Sequence, residues 1–179
     1  DIAASDLMTR LQKTLDHGVE VLEHQFSRNL VRTASGEARF TGPHHVEITS
    51  AAGETRTVSA AYILIACGTR PFRPDYVPFD GKTMFDSDEI IDLPKLPRSL
   101  AVIGAGVIGV EYATIFSALD VAVTLIEPRA TFLDFIDKEL IHEFMHELRD
   151  RNVALRLGSA VTAIERAANG QIQVKLADG

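Results

Sequence analysis

The sequence has a single cysteine, Cys67, in 179 residues, so no disulfide can form within the chain. That usage fits a reducing compartment, and a cytoplasmic location is the expectation. Positive charge is also scarce: 18 Lys and Arg stand against 25 Asp and Glu, a formal net charge of −7. The balance argues against nucleic acid or an anionic membrane surface as a partner. No apolar run can span a bilayer, because the longest apolar stretch, residues 100–126, is broken by Glu111, Asp120 and three glycines. No signal peptide, repeat or low-complexity segment is visible. The chain opens without methionine into a helical pattern and stops at Ala177-Asp178-Gly179, where a strand would be entering a turn. More protein is therefore expected beyond both ends.

What remains, 46% hydrophobic and 24% charged, is ordinary globular composition. Its most telling stretch is SLAVIGAGVIGVE, Ser99 to Glu111, a short apolar strand that breaks into glycines and restarts as a helix. Gly104, Gly106 and Gly109 stand in G-x-G-x-x-G spacing. The first permits a tight turn, the second lets backbone approach a pyrophosphate, and the third lets helix pack on strand. Ala105, Val107 and Ile108 complete a loop and helix start whose N–H groups suit phosphate. A second strand, Val121–Ile126, leads to Glu127, 23 residues after Gly104, where an acid can accept from both hydroxyls of an adenosine ribose. Glu127 favours NAD by repelling a 2′-phosphate. Arg129 could reach that phosphate bidentately, or be a solvated loop arginine.

Leu7, Leu11, Leu15, Leu22 and Phe26 place an amphipathic helix over residues 5–28. Residues 36–40, 45–49 and 55–58 read as an antiparallel meander punctuated by Gly42-Pro43 and Ala52-Gly53. Tyr62–Ala66 is a continuous apolar run that suits a strand buried on both faces, with Cys67 a small buried residue behind it. Five of the seven prolines fall in residues 71–98, which read as a linker, with Asp86 to Glu89 capping a short helical turn. From Ser99 the pattern alternates: a helix over Val107–Ala118, and a second over Asp137–Asp150 with Leu140, Ile141, Phe144 and Leu148 as its apolar face. Asn152 suits its left-handed stop. Then come a strand at Val153–Leu157 and a hairpin turning at Asn169-Gly170. The expected fold is α/β, a Rossmann-type parallel βαβαβ half-domain preceded by a helix and small antiparallel meander.

His142-Glu-Phe-Met-His146 matches H-E-x-x-H, with Glu165 a conceivable third zinc ligand. The helix must pack on a nucleotide-binding sheet, so a surface helix with two histidines is the preferred reading, and no metal is expected. His17, His24, His44 and His45 lack partner spacing and read as solvated.

The segment Tyr62–Pro71, YILIACGTRP, resembles the second flavin-contact motif, I-A-T-G-S-x-P, of the two-dinucleotide-binding flavoproteins. The Gly104 loop resembles their NAD(P) motif, including the glutamate two residues past the last glycine, here Glu111. Phe85–Asp88 and the R-x-x-F-L-x-x-x-D run at Arg129–Asp137 are similar too. The resemblance implies residues 1–70 as the C-terminal part of an FAD-binding domain, 71–98 as linker, and 99–179 as the first half of an NAD(P)-binding domain. It implies Ala66, Cys67, Gly68 and Thr69 against FAD, and Gly104 to Gly109 with Glu127 and Arg129 on NAD or NADP. It implies that Glu111, an acid in an otherwise apolar helix, pairs with a lysine beneath the flavin from outside this sequence. The implied protein is a homodimer that moves hydride between NADPH/NADP and NAD/NADH through FAD. Runners-up are a disulfide reductase such as dihydrolipoamide dehydrogenase, whose cysteine pair would lie upstream, and a non-catalytic NADH-sensing module.

Overall fold

A computed structural model describes residues 4–177, which form two compact units, one of them Thr9–Arg70 and the other containing the chain from Pro71 onward.

Helix α1 (Ala4–Arg28) ends where Leu30 takes the left-handed conformation, φ 58°. Its C-terminal carbonyls are met in a Schellman pattern: Val31 N–H donates to Phe26 O at 2.9 Å and Leu30 N–H to Ser27 O at 3.1 Å. The expected apolar stripe is present, yet Leu15, Leu22 and Phe26 are exposed. Strands β1 (Glu37–Gly42), β2 (His45–Thr49) and β3 (Thr55–Ser59) form the antiparallel meander, paired in chain order. Its register puts Phe40 opposite Val46 and Val46 opposite Val58, so one face collects the apolar side chains.

The buried strand expected at Tyr62–Ala66 does not form. These residues are in no strand, and Tyr62 and Leu64 are 95% and 90% exposed. A strand needs at least one hydrogen-bonded neighbour, and no described strand pairs with this run. Cys67, expected buried, is exposed for the same reason.

The unit from Pro71 onward begins with a proline-rich segment carrying its own order. A 3₁₀ turn at Glu89–Asp92 follows a tight turn held by Asp86, whose Oδ1 accepts from the N–H of Asp88 and Glu89, both at 3.0 Å. Arg73 pairs with Asp86 at 3.0 Å and Glu89 at 2.6 Å, and lies 4.5 Å over the Phe79 ring. Asp80 Oδ1 accepts from the N–H groups of Lys82, Thr83 and Met84 at 2.9, 2.7 and 2.9 Å. Its Oδ2 accepts from the Thr83 hydroxyl and the Arg166 guanidinium. The Thr83 N–H, followed by that of Met84, holds the Asp80 carboxyl well below the usual carboxylate range.

Folding therefore favours ionised Asp80. The stabilisation is complete above the unfolded carboxylate value and is lost as pH falls through the lower folded one. Asp80→Ala is expected to destabilise by about 1–2 kcal/mol at neutral pH, with the gap from wild type closing in strong acid. Paired urea unfolding curves across pH check this, and a gap that widens on acidification would refute it.

Strands β4 (Ser99–Ile103), β5 (Ala122–Glu127) and β6 (Ala154–Leu157) form a parallel sheet in that order. Helices α2 (Val107–Ala118) and α3 (Lys138–Asp150) connect them. Asp137 caps α3 by accepting from Glu139 N–H at 2.8 Å, and Asn152 takes the expected left-handed stop at φ 61°. Strands β7 (Val161–Arg166) and β8 (Ile172–Leu176) form the hairpin across Asn169-Gly170.

The core joins Val110, Ala113 and Phe116 of α2 to Val123 and Leu125 of β5, Ile141 and Leu148 of α3, and Phe132. Phe132, Leu125 and Leu148 are fully buried, each contributing about 1.5–3 kcal/mol by leaving water. Leu140, expected on the apolar face of α3, is exposed: it lies one residue off the Ile141–Phe144–Leu148 stripe. Ile90 of the 3₁₀ turn belongs to the core as well, and Tyr112 of α2 donates to Ser87 O at 2.8 Å. The segment expected as a linker is thus anchored to the sheet unit by apolar burial and by hydrogen bonds.

Candidate nucleotide-binding site

Chain direction reverses between β4 and α2, and each glycine there meets a different demand. Gly104 has φ 99°, a conformation side-chain-bearing residues rarely adopt, and its N–H donates to Ile126 O at 2.8 Å. Gly109 lies against the strand end: a Cβ there would stand 2.0 Å from Gly104 O. Gly106 is the N-cap of α2, with ordinary backbone angles, no side-chain cap bond, and nothing within 4 Å of where a Cβ would be. The space over Gly106 is therefore open, and the first-turn N–H groups of α2 face it without a capping side chain. Val107 and Ile108 in that first turn are half exposed. An uncapped helix start with a positive dipole end and a glycine-lined approach fits a pyrophosphate.

Glu127 ends β5 beside this loop and is 4% exposed. Its Oε2 accepts from Ala105 N–H at 2.8 Å, a buried bond linking the acid to the glycine loop. Its Oε1 accepts from Arg129 Nε at 2.7 Å and Arg129 N–H at 3.2 Å. Burial pushes the Glu127 carboxyl up, but the Arg129 side chain and the Ala105 and Arg129 N–H groups outweigh it, leaving the group below its ordinary value. Arg129, open in the sequence between phosphate ligand and solvated loop residue, is ion-paired. It bridges Glu127 and Asp134, with Nη1 3.3 Å from Asp134 Oδ1. Its backbone is fixed too, since Gly158 N–H donates to Arg129 O at 2.9 Å.

Gly104 to Gly109, Glu127 and Arg129 are thus brought together. Glu111, for which the resemblance implies a lysine partner from outside this sequence, is exposed on α2 in line with Ile108 and Ile115. This outer face of α2 is apolar and uncovered, so the carboxylate meets solvent. Ala66, Cys67, Gly68 and Thr69 lie in the other unit, all exposed, with Gly68 left-handed at φ 69°. His142 and His146 are exposed on α3, and among the described residues no group of three His, Cys, Asp or Glu could hold a metal ion. His17, His24, His44 and His45 are exposed as expected.

Two parts of the site are not readable from the sequence. The Ala105 N–H bond to Glu127 joins residues 22 apart, and Asp134 pairs with Arg129 through an irregular loop without periodicity. The only available signal for Asp134 was a carboxylate within one loop of an arginine.

A soluble pyridine nucleotide transhydrogenase of Mycobacterium bovis (strain BCG / Pasteur 1173P2) is 43% identical over 172 residues, covering 96% of this chain and 37% of that protein. One of Colwellia psychrerythraea is 36% identical over 168 residues, covering 90% and 36%. The chain thus spans under two fifths of the length of these relatives. LpdA from Mycobacterium tuberculosis shares the fold, with a TM-score of 0.87 at 22% identity over 100% of this chain and 40% of its own. A mutant of the HOCl-induced flavoprotein disulfide reductase RclA from Escherichia coli, solved as a Cu(II) complex, matches at a TM-score of 0.75 and 26% identity, over 95% and 40%. The pyridine nucleotide-disulphide oxidoreductase family matches residues 3–179. A glycine loop tied to a strand-end glutamate, in a chain matched along nearly its whole length, makes this protein a member of the pyridine nucleotide-disulphide oxidoreductase family.

Proposed function

We propose that this chain is part of an FAD-dependent oxidoreductase that moves hydride between NADPH/NADP and NAD/NADH, a soluble transhydrogenase. The observation that carries the reading is the Gly104–Gly109 cradle: open over Gly106, closed by Gly109, and uncapped at the start of α2. Its residues fit the pyrophosphate of a nicotinamide dinucleotide. In this reading the first-turn N–H groups of α2, Val107 to Gly109, hold the pyrophosphate, Ala105 N–H holds Glu127 in place, Glu127 and Arg129 address the adenosine ribose, and Ala66, Cys67, Gly68 and Thr69 approach FAD. Glu111 pairs with a lysine near the flavin. The flavin and the two nicotinamides supply the redox chemistry; this chain's residues bind, orient and exclude water.

The transhydrogenase names of relatives at 43% and 36% identity support that activity over the disulfide reductases. A cytoplasmic homodimer is part of the same proposal, and among the described residues no helix is long and apolar enough to cross a membrane. The full-length protein is expected to purify yellow and to reduce thio-NAD with NADPH. A colourless full-length protein, or a yellow one that reduces lipoamide and never thio-NAD, would overturn the proposal.

A further inference from the structure

The outer side of α3 carries a motif that the proposed activity leaves unused, His142-Glu-Phe-Met-His146. Four residues apart on an α-helix, the two histidines lie about 40° apart around the axis and one turn apart along it. Their Cβ atoms are therefore neighbours at about 5–6 Å. Both side chains are exposed, and neither has a hydrogen-bond or ion-pair partner among the described residues.

What the structure adds to that spacing is a fixed helix. Asp137 accepts from Glu139 N–H at 2.8 Å at its start, and Arg151 N–H donates to Glu147 O at 3.1 Å at its end. Ile141 and Leu148 anchor the inner side in the core, and Phe144 packs edge-on against Phe132 with ring centres 6.3 Å apart. The histidines lie away from that apolar stripe. Two nitrogen ligands are thus held one turn apart before any ion arrives, and little ordering is left for binding to impose.

The donor set selects the ion. Imidazole suits Zn2+, Ni2+ and Cu2+, whereas Mg2+ and Ca2+ take oxygen ligands. Around the pair stand Glu139, Glu143 and Asp150 against Lys138 and Arg149, a small excess of negative charge that favours a cation. Glu165, the conceivable third ligand in the sequence, is engaged elsewhere: it pairs with Lys175 Nζ at 2.7 Å. Among the described residues no group of three His, Cys, Asp or Glu could hold a metal ion. A structural zinc has four protein ligands and a peptidase zinc has three, so this pair is neither.

We propose that His142 and His146 form a surface chelate for a divalent late transition-metal ion, with water completing the coordination shell. Its open positions leave the ion exchangeable. The proposal stands apart from the nucleotide site and does not depend on what the glycine loop binds.

The test is calorimetric titration of the tag-free, chelator-treated full-length protein with Ni2+, and with Mg2+ as the contrasting ion. His142→Gln and His146→Gln are each expected to weaken one Ni2+ binding step about tenfold or more, because a single imidazole lacks the second ligand's high effective concentration. Mg2+ titrations stay the same in both. The double variant His146→Gln/Glu147→His keeps the number of histidines but turns the second one about 140° from His142, and it is expected to lose the step as the single variants do. Ni2+ also raises the melting temperature of wild type, and raises it less in all three variants. Without metal the four proteins melt together, since each change is on the exposed side. Unchanged Ni2+ affinity in both single variants overturns the proposal, as does full retention of the step by the double variant. A protein that binds Ni2+ as expected but no nicotinamide dinucleotide would sink the transhydrogenase reading and leave this one intact.

Discussion

Gly109→Ala is expected to destabilise the full-length protein by about 3 kcal/mol or more, whereas Gly106→Ala leaves stability within about 0.5 kcal/mol and weakens nucleotide binding. The added atom is the same; what it meets is not. At Gly109 a Cβ stands 2.0 Å from the carbonyl oxygen of Gly104 and 3.4 Å from a Val102 methyl. Val102 belongs to β4 and Gly104 is tied to β5 through Ile126, so relief requires α2 to slide off β4 and β5, and with it Val110, Ala113 and Phe116 from the core. At Gly106 the backbone is in the extended region, φ −73° and ψ 179°, and the Cβ meets no protein atom. It does fill the approach a pyrophosphate needs, so NAD+ affinity is expected to fall about tenfold or more. Melting temperature and NAD+ titration of the two variants separate the effects. A Gly109→Ala protein that melts like wild type, or a Gly106→Ala protein that binds NAD+ normally, contradicts this account.

Glu127→Ala is expected to affect both properties together. The Ala105 N–H would be left buried without its acceptor, a loss of about 1–3 kcal/mol, and the ribose would lose its acid. Glu127→Gln is the milder control, because an amide oxygen can still accept from Ala105 while the ion pair with Arg129 is gone. The pH dependence follows from the lowered Glu127 carboxyl. Its folded value lies below its unfolded one, so its stabilisation is complete above the unfolded value and is lost as pH falls through the folded one. The stability gap between wild type and Glu127→Gln is therefore expected to narrow on acidification. Denaturant unfolding at neutral and at acid pH measures it, and a gap that grows toward acid would reverse the assigned sign.

Much of the nucleotide unit was legible because its signals are local. The glycine spacing followed from what each position must do within a few residues, and Gly104 and Gly109 meet those demands as expected. The bounds of α2 match its apolar run, and Asn152 and Asn169-Gly170 mark their turns by their own backbone preferences. The errors share a different cause. Tyr62–Ala66 and Cys67 were read as buried from composition and periodicity, yet Cys67 and every residue of the run except the half-buried Ile63 are exposed. Periodicity reports that a face is apolar and is silent on what lies against it.

The sequence by itself determined the order of strands and helices from Ser99 onward and the tight turn at Gly104. Each depends on backbone sterics or spacing along one segment. Only the tertiary structure decided that Glu127 is a buried link between the loop and Arg129, and that Asp134 pairs with the same guanidinium. Those pairings join side chains from β5, the glycine loop and an irregular connection, and they exist only where the parallel sheet and its core set the distances.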